Sequence, residues 1–425
     1  MVVTPLYPGA QIASVGNGLR AIVEEVEGTR TVSLGLWARA GSRDDPDAHP
    51  GLAHFIEHLL FKGTDRRDAT RISREIDALG GHVNGATGKE STFYYVDVPA
   101  DGFAKALDVL ADLVQHPRLD PSDLDLERGV VLEEIRGRDD DPEQRAYDLF
   151  QAGLWHEGHP LGRSVLGDRE TIASVDRETL VETHRRAYDA PNLGLVVCGA
   201  VRAEDVYRAC EGLFDGETAG VPRPARALPR FKEGRARHVA ETHQAHVYVG
   251  LPGTDASDLD RYALEVVNDV LGGGTSSRLF RIIREERGLA YAVSSGATYY
   301  SDAGTWTIYA GVSPERVDEV VGITLDQLKA LQRDGVSPEE FALTKAKLRG
   351  NLILGLETNA NRMFRLGHAL ALNREILSPD EVIARVETVS AEDVAGVIER
   401  FVRPEQANLT IVGPDQRVAE IPSSD

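Results

Sequence analysis

Apolar residues recur along this chain with two different periods. In VSLGLWARAG (32–41), HVNGATG (82–88) and STFYYVDV (91–98), strand-forming residues cluster or alternate between glycines, a pattern that predicts strands. Over 51–62, 68–79, 101–115 and 121–138 apolar residues return every three or four positions, which predicts amphipathic helices. The strands on either side of Gly85–Lys89 are close enough in sequence to pair as a hairpin. Strands and helices mix without the regular alternation of a parallel βαβ fold. The expected class is therefore α+β, with a mostly antiparallel or mixed sheet covered by helices on one face.

The same order of elements returns in the second half. Segments 94–135 and 307–352 each read as strand, proline turn, amphipathic helix, second proline turn and long helix. The offset is 217 from Pro121 to Pro338 and 211 from Thr64 to Thr275, where LAHFIEHLLFKGT stands against ALEVVNDVLGGGT. Loop insertions produce drifts of that size, so the chain reads as two homologous domains in tandem. Between them DGETAGVPRPARALPRFKEGRAR (215–237) is rich in proline, glycine and arginine, has no regular period and reads as a linker. The expected domains are 1–214 and 238–425.

Charge and cysteine content narrow the function. The 425 residues carry 47 Lys plus Arg against 68 Asp plus Glu, a net charge of −21, which argues against nucleic-acid binding and suits cationic ligands such as basic peptides. Cys198 and Cys210 form no Cys-x-x-Cys pair and no disulfide framework, so a reducing, cytoplasmic setting is expected. No stretch reaches the ~18 apolar residues of a membrane span, and the N-terminus has no signal-peptide pattern.

The chemistry concentrates in GLAHFIEHLLFKGT (51–64). In a helix His54 and His58 are one turn apart on one face, so two imidazoles converge at the spacing a metal needs, with Glu57 in the same turn. A carboxylate beside a zinc site can take a proton from water that the cation has acidified. The order His-x-x-Glu-His inverts the commoner His-Glu-x-x-His motif. Two histidines and a glutamate can also share a helical face by accident, and a third ligand separates the readings. The helix over 121–138 offers Glu127, Glu133 and Glu134. Glu133 shares a stripe with Leu126 and Val130, Glu134 lies two turns from Glu127, and spacing alone chooses neither.

Taken together, GLAHFIEHLLFKGT, GGHVNGATGKESTFYY, ERGVVLEEI and SSRLFRIIREERGLAYAVSS resemble the pitrilysin and mitochondrial processing peptidase family of zinc metallopeptidases, in its short two-domain bacterial form. The resemblance implies one zinc ion per chain on His54, His58 and Glu134, which stands 76 positions beyond His58, with Glu127 supporting the site and Glu57 as general base. It also implies that Asn84, Gly85 and Ala86 form an edge strand to which a substrate peptide adds by main-chain hydrogen bonds. In the second half Glu265, Asn268 and Asp269 stand where His54, Glu57 and His58 stand in the first, and the offset of 217 puts Asn351 at the Glu134 position. That domain is expected to lack metal. Its Arg284 and Tyr291 resemble the family's pair that holds a substrate carbonyl or oxyanion. The run Gly272–Gly274 lacks the ending of a phosphate loop and reads as a flexible connector.

The expected function is a zinc-dependent endopeptidase that cleaves peptides or unfolded segments in a closed chamber. Four such domains make a chamber in this family, so the resemblance implies a homodimer. The alternatives are the zinc-bearing half of a heterodimer, or a non-catalytic core subunit, which the intact metal motif disfavours. No nucleic-acid or membrane partner is expected.

Overall fold

Seven strands form the first sheet of the computed structural model, which describes residues 2–214 and 225–414. They are β1 (Val3–Tyr7), β2 (Ala10–Val15), β3 (Leu19–Glu25), β4 (Thr31–Ala38), β5 (His82–Thr87), β6 (Thr92–Pro99) and β7 (Leu193–Gly199), in the order β1-β2-β3-β7-β4-β6-β5. Only β3 and β7 pair in parallel. The helices α1 (Leu52–Leu60), α2 (Ala69–Asp77) and α3 (Phe103–Gln115) bury their apolar stripes on one face, with Leu34, Leu36 and Val96 beneath them. The long helix α4 (Pro121–Asp140) adds Leu124, Val131 and Ile135 to that core.

The opposite face of this sheet is also covered, which corrects the expectation of helices on one face. Helix Asn359–Ala371 sets Met363, Leu366 and Leu370 against Ile22, Trp37, Val196 and Cys198. The covering helix comes from far down the chain. Burial on both sides explains why β4 (TVSLGLWA) and β7 (LGLVVCG) read as nearly continuous apolar runs, every residue buried except Thr31.

The second sheet has five strands, β8 (Gly234–Val239), β9 (Ala245–Gly253), β10 (Ala290–Tyr299), β11 (Gly304–Val312) and β12 (Asn408–Gly413), in the order β10-β11-β9-β12-β8. Read from the other edge, this matches β3-β7-β4-β6-β5, and the single parallel pair, β8 with β12, falls where β3 pairs with β7. The tandem repeat expected from sequence is thus a repeat of topology. Helix α5 (Pro142–Gly153) packs Ala146 and Phe150 against Tyr248 and Val412.

Two compact units result. One draws on Met1–Gly137, Arg163–Arg226 and Leu354–Pro379, the other on Arg138–Gly162, Ala227–Ile353 and Asp380–Asp425, described residues only. Of the segment read as a linker, 215–224 lies outside the described residues. Among the described residues no helix is long and apolar enough to cross a membrane.

Candidate metal centre

Helix α1 is built to present three polar groups. Leu52, Phe55, Ile56, Leu59 and Leu60 are buried, which leaves His54, Glu57 and His58 half-buried on the other side of the helix. The preceding Gly51 has φ 97°, a left-handed conformation that glycine adopts without strain and that offers no side-chain cap. Asp45 supplies the cap from outside the helix, its carboxylate accepting from Gly51 N at 2.8 Å and Ala53 N at 2.9 Å.

Helix α4 begins at Pro121, whose fixed φ suits a first turn. It buries Leu124, Glu127, Val131 and Ile135, a face that carries Glu134 on its flank. Glu134 Oε2 lies 3.6 Å from His54 Nε2 and 3.5 Å from His58 Nε2. Glu133 is turned away, 68% exposed and paired with Arg136. Helix phase left these two glutamates unresolved, and packing brings Glu134 to the histidines.

The three ligating atoms of His54, His58 and Glu134 lie within 4.8 Å of one another, a group able to hold a metal ion. Among the described residues no other such group of three His, Cys, Asp or Glu is found. Burial, helped by the nearby His58, lowers the His54 pKa to about 4, so its ring stays neutral, as a metal ligand requires. Its buried Nδ1 has no hydrogen-bond partner among the described residues. His58 Nδ1 lies 3.2 Å from Glu127 Oε2, the geometry in which a ring donates Nδ1–H and keeps Nε2 for a metal. Two imidazole nitrogens and a carboxylate oxygen match the donor chemistry of a catalytic zinc site.

Glu57 sits beside this group. Burial raises its pKa above the usual carboxylate range, while the Thr87 hydroxyl, donating to Oε2 at 2.6 Å, and the nearby His58 work the other way. Thr87 ends β5, which among the described residues pairs with β6 alone and lies at the sheet edge. Asn84, Gly85 and Ala86 lie on that edge. A Cβ on Gly85 would lie 3.0 Å from the Tyr94 ring and 3.2 Å from Phe61, so its smallness serves packing beneath the strand.

Two models of one family match in succession. The model described as insulinase (peptidase family M16) covers residues 20–169, and the model described as peptidase M16 inactive domain covers 174–348. A Streptomyces coelicolor protein named an uncharacterized zinc protease is 37% identical over 94% of this chain and 88% of its own length. The chain belongs to peptidase family M16. A Mycobacterium tuberculosis protein, also named an uncharacterized zinc protease, is 35% identical over 99% of this chain and 97% of its own. The fold matches a Pseudomonas fluorescens structure titled as a peptidase M16 inactive domain, with TM-score 0.89 at 21% identity, covering 97% of this chain and all of that one.

The M16 repeat in the second unit has its own chemistry. Glu265, Asn268 and Asp269 lie on helix Arg261–Gly272, the counterpart of α1, and each is engaged by a neighbour. Glu265 accepts from Tyr299 Oη at 2.8 Å, Asn268 Oδ1 from Trp306 Nε1 at 2.9 Å, and Asp269 from Lys347 Nζ at 2.5 Å. A lysine ammonium thus meets the carboxylate at the His58 position. Nor is the glycine run a free connector: Gly272 ends the helix and Gly273 O accepts from Lys347 at 3.0 Å.

Arg284 and Tyr291 do come together within this unit, the guanidinium 5.0 Å from the Tyr291 ring centroid and 4.8 Å from that of Phe280. Tyr291 is 79% exposed at the start of edge strand β10. Sequence reasoning missed Asp45, Lys62 and Thr87. The signal for Thr87 was present, since Gly85 and Thr87 share a face by the strand period of two. Lys62 Nζ pairs with Glu127 Oε1 at 2.6 Å, and nothing local in FKGT announces a partner 65 positions away.

Proposed function

We propose that this chain is a zinc-dependent endopeptidase acting on peptides or unfolded segments, with His54, His58 and Glu134 as zinc ligands and Glu57 as general base. The observation that carries this reading is the convergence of the three ligating atoms within 4.8 Å, with Glu57 one residue from His58 on the same helix. Bound zinc would supply Lewis-acid activation of water and of the scissile carbonyl. Glu57, held partly buried with a raised pKa, takes the proton from the attacking water and passes it to the leaving amine. Glu127 orients His58.

The substrate would add to the free edge of β5 at Asn84, Gly85 and Ala86, so that main-chain hydrogen bonds hold it whatever its side chains. Arg284 and Tyr291 then stabilise negative charge on the carbonyl oxygen, a role their exposure and mutual stacking suit. In this reading two copies pair to close a chamber, and each Arg284–Tyr291 pair serves its partner's zinc. The net charge of −21 favours basic peptides. Free, buried Cys198 and Cys210 are compatible with the reducing cytoplasm where we place the protein.

One experiment tests the core of this reading. The purified chain should cleave a quenched basic peptide, lose activity with 1,10-phenanthroline and regain it with zinc, and Glu57→Gln should keep its zinc while losing activity. Cleavage that is indifferent to the chelator, or undiminished in Glu57→Gln, overturns it.

A further inference from the structure

Helix α1 fixes where the Glu57 backbone lies, but it leaves the carboxylate plane free, because the terminal torsion of a glutamate is broad. Thr87 restricts that freedom, its hydroxyl and its backbone both hydrogen-bonding the carboxylate. Thr87 Oγ1 donates to Glu57 Oε2 at 2.6 Å, linking the last residue of β5 to the middle of α1 across 30 positions of sequence. Both groups are half-buried. The other two corners of the metal helix's polar face, His54 and His58, turn their Nε2 atoms to Glu134.

We infer that Thr87 is a positioning residue for Glu57: its hydroxyl occupies Oε2, aims the carboxylate and leaves Oε1 to receive the proton. This deepens the reading of Glu57 as general base and rests on it. In the step concerned, an O–H bond of the attacking water breaks, the proton goes to Oε1, and the oxygen's electron pair forms the bond to the scissile carbonyl carbon. The C=O π pair moves onto the carbonyl oxygen. As it returns, the C–N bond breaks with its electrons going to nitrogen, while the proton leaves Oε1 for the departing amine. Because Thr87 belongs to the edge strand proposed to hold the peptide, a substrate that orders β5 also orders the donor that aims the base. Asn84, Gly85 and Ala86 would act on binding, and Thr87 on the chemical step.

Thr87→Val removes the donor and keeps the branched shape, and Thr87→Ser keeps the donor and removes the methyl. With zinc content and zinc affinity of the metal-free chain measured alongside, Thr87→Val should lower kcat roughly 10- to 100-fold, the scale of one hydrogen bond to a charged group, with KM within about twofold. Thr87→Ser should recover to within about threefold of wild type, and both variants should bind zinc as wild type does. In a Glu57→Gln background Thr87→Val should cause no further loss. The inference is overturned if Thr87→Val keeps wild-type kcat, if its loss lies in KM or in zinc binding, or if Thr87→Ser is no better than Thr87→Val. Should the valine variant fail to fold, Thr87→Ala and Thr87→Cys are read by the same criteria. A fully active Glu57→Gln overturns the base itself, whereas an inactive Glu57→Gln beside a fully active Thr87→Val overturns the role of Thr87 alone.

Discussion

Lys62 Nζ lies 2.6 Å from Glu127 Oε1, and the other oxygen of Glu127 lies 3.2 Å from His58 Nδ1. Glu127 is 3% exposed, and these two partners engage both of its carboxylate oxygens. Such outer contacts hold a metal-binding imidazole in one tautomer and orientation. We expect Lys62→Met and Glu127→Gln each to weaken zinc binding by about tenfold or more. Competition against a calibrated chelator measures it, and wild-type affinity in Lys62→Met would show that the lysine does not support the site.

Asp45 caps helix α1 from a buried position, and burial raises its pKa to about 7, against its two backbone donors from Gly51 and Ala53. The folded state therefore holds a proton that the unfolded chain has released between about pH 4 and 7. Stability contributed by this group rises as pH falls through that window and is lost as pH rises to about 7. His54, lowered to about 4 by burial, runs the other way, so the comparison must be with a variant. Urea midpoints of the metal-free chain between pH 5 and 8 should slope less downward in Asp45→Asn than in wild type. Equal slopes would remove Asp45 from the account.

Asp112 anchors the loop that leaves α1. It is 1% exposed and accepts from Thr64 Oγ1 at 2.7 Å, Arg67 Nη1 at 2.5 Å and Arg66 Nε at 2.9 Å. Asp112→Ala would leave the buried Arg67 short of a partner, a change that costs about 3–5 kcal/mol when a buried pair is broken. Arg67 also pairs with Asp108 and Glu75, so denaturant unfolding should show a loss of that order, and a loss below ~1 kcal/mol would mean that those two carboxylates carry Arg67 unaided.

Lys347 should matter for stability and not for metal. Lys347→Met strands Asp269, which is 8% exposed, and we expect a loss of about 2–4 kcal/mol with zinc content unchanged. Loss of zinc in this variant would contradict the separation of the two repeats' roles.

The candidate site residues on α1 were legible because helix periodicity is local: His54, Glu57 and His58 had to share a face once Phe55, Ile56 and Leu59 were buried. The hairpin of β5 and β6 was legible for the same reason, its strands adjacent in sequence. Glu134 was not separable from Glu133 by phase, since neighbouring positions differ by only about 100° on a helix and the answer depends on how α4 is rotated against α1. Likewise the helix Asn359–Ala371 covering the first sheet could not be read from its own pattern, although the unbroken apolar runs of β4 and β7 called for a cover.

Periodicity, composition and one motif by themselves determined an α+β repeat, an acidic chain without disulfide chemistry and a pair of imidazoles on one helical face. Tertiary structure decided which glutamate meets those imidazoles, which lysine pairs with Glu127, which threonine donates to Glu57 and which ammonium meets Asp269 in the second repeat. The division has a physical cause. Backbone hydrogen bonding and side-chain period act over a few residues, whereas the convergence of charged and polar side chains is set by how helices and strands pack after distant segments meet.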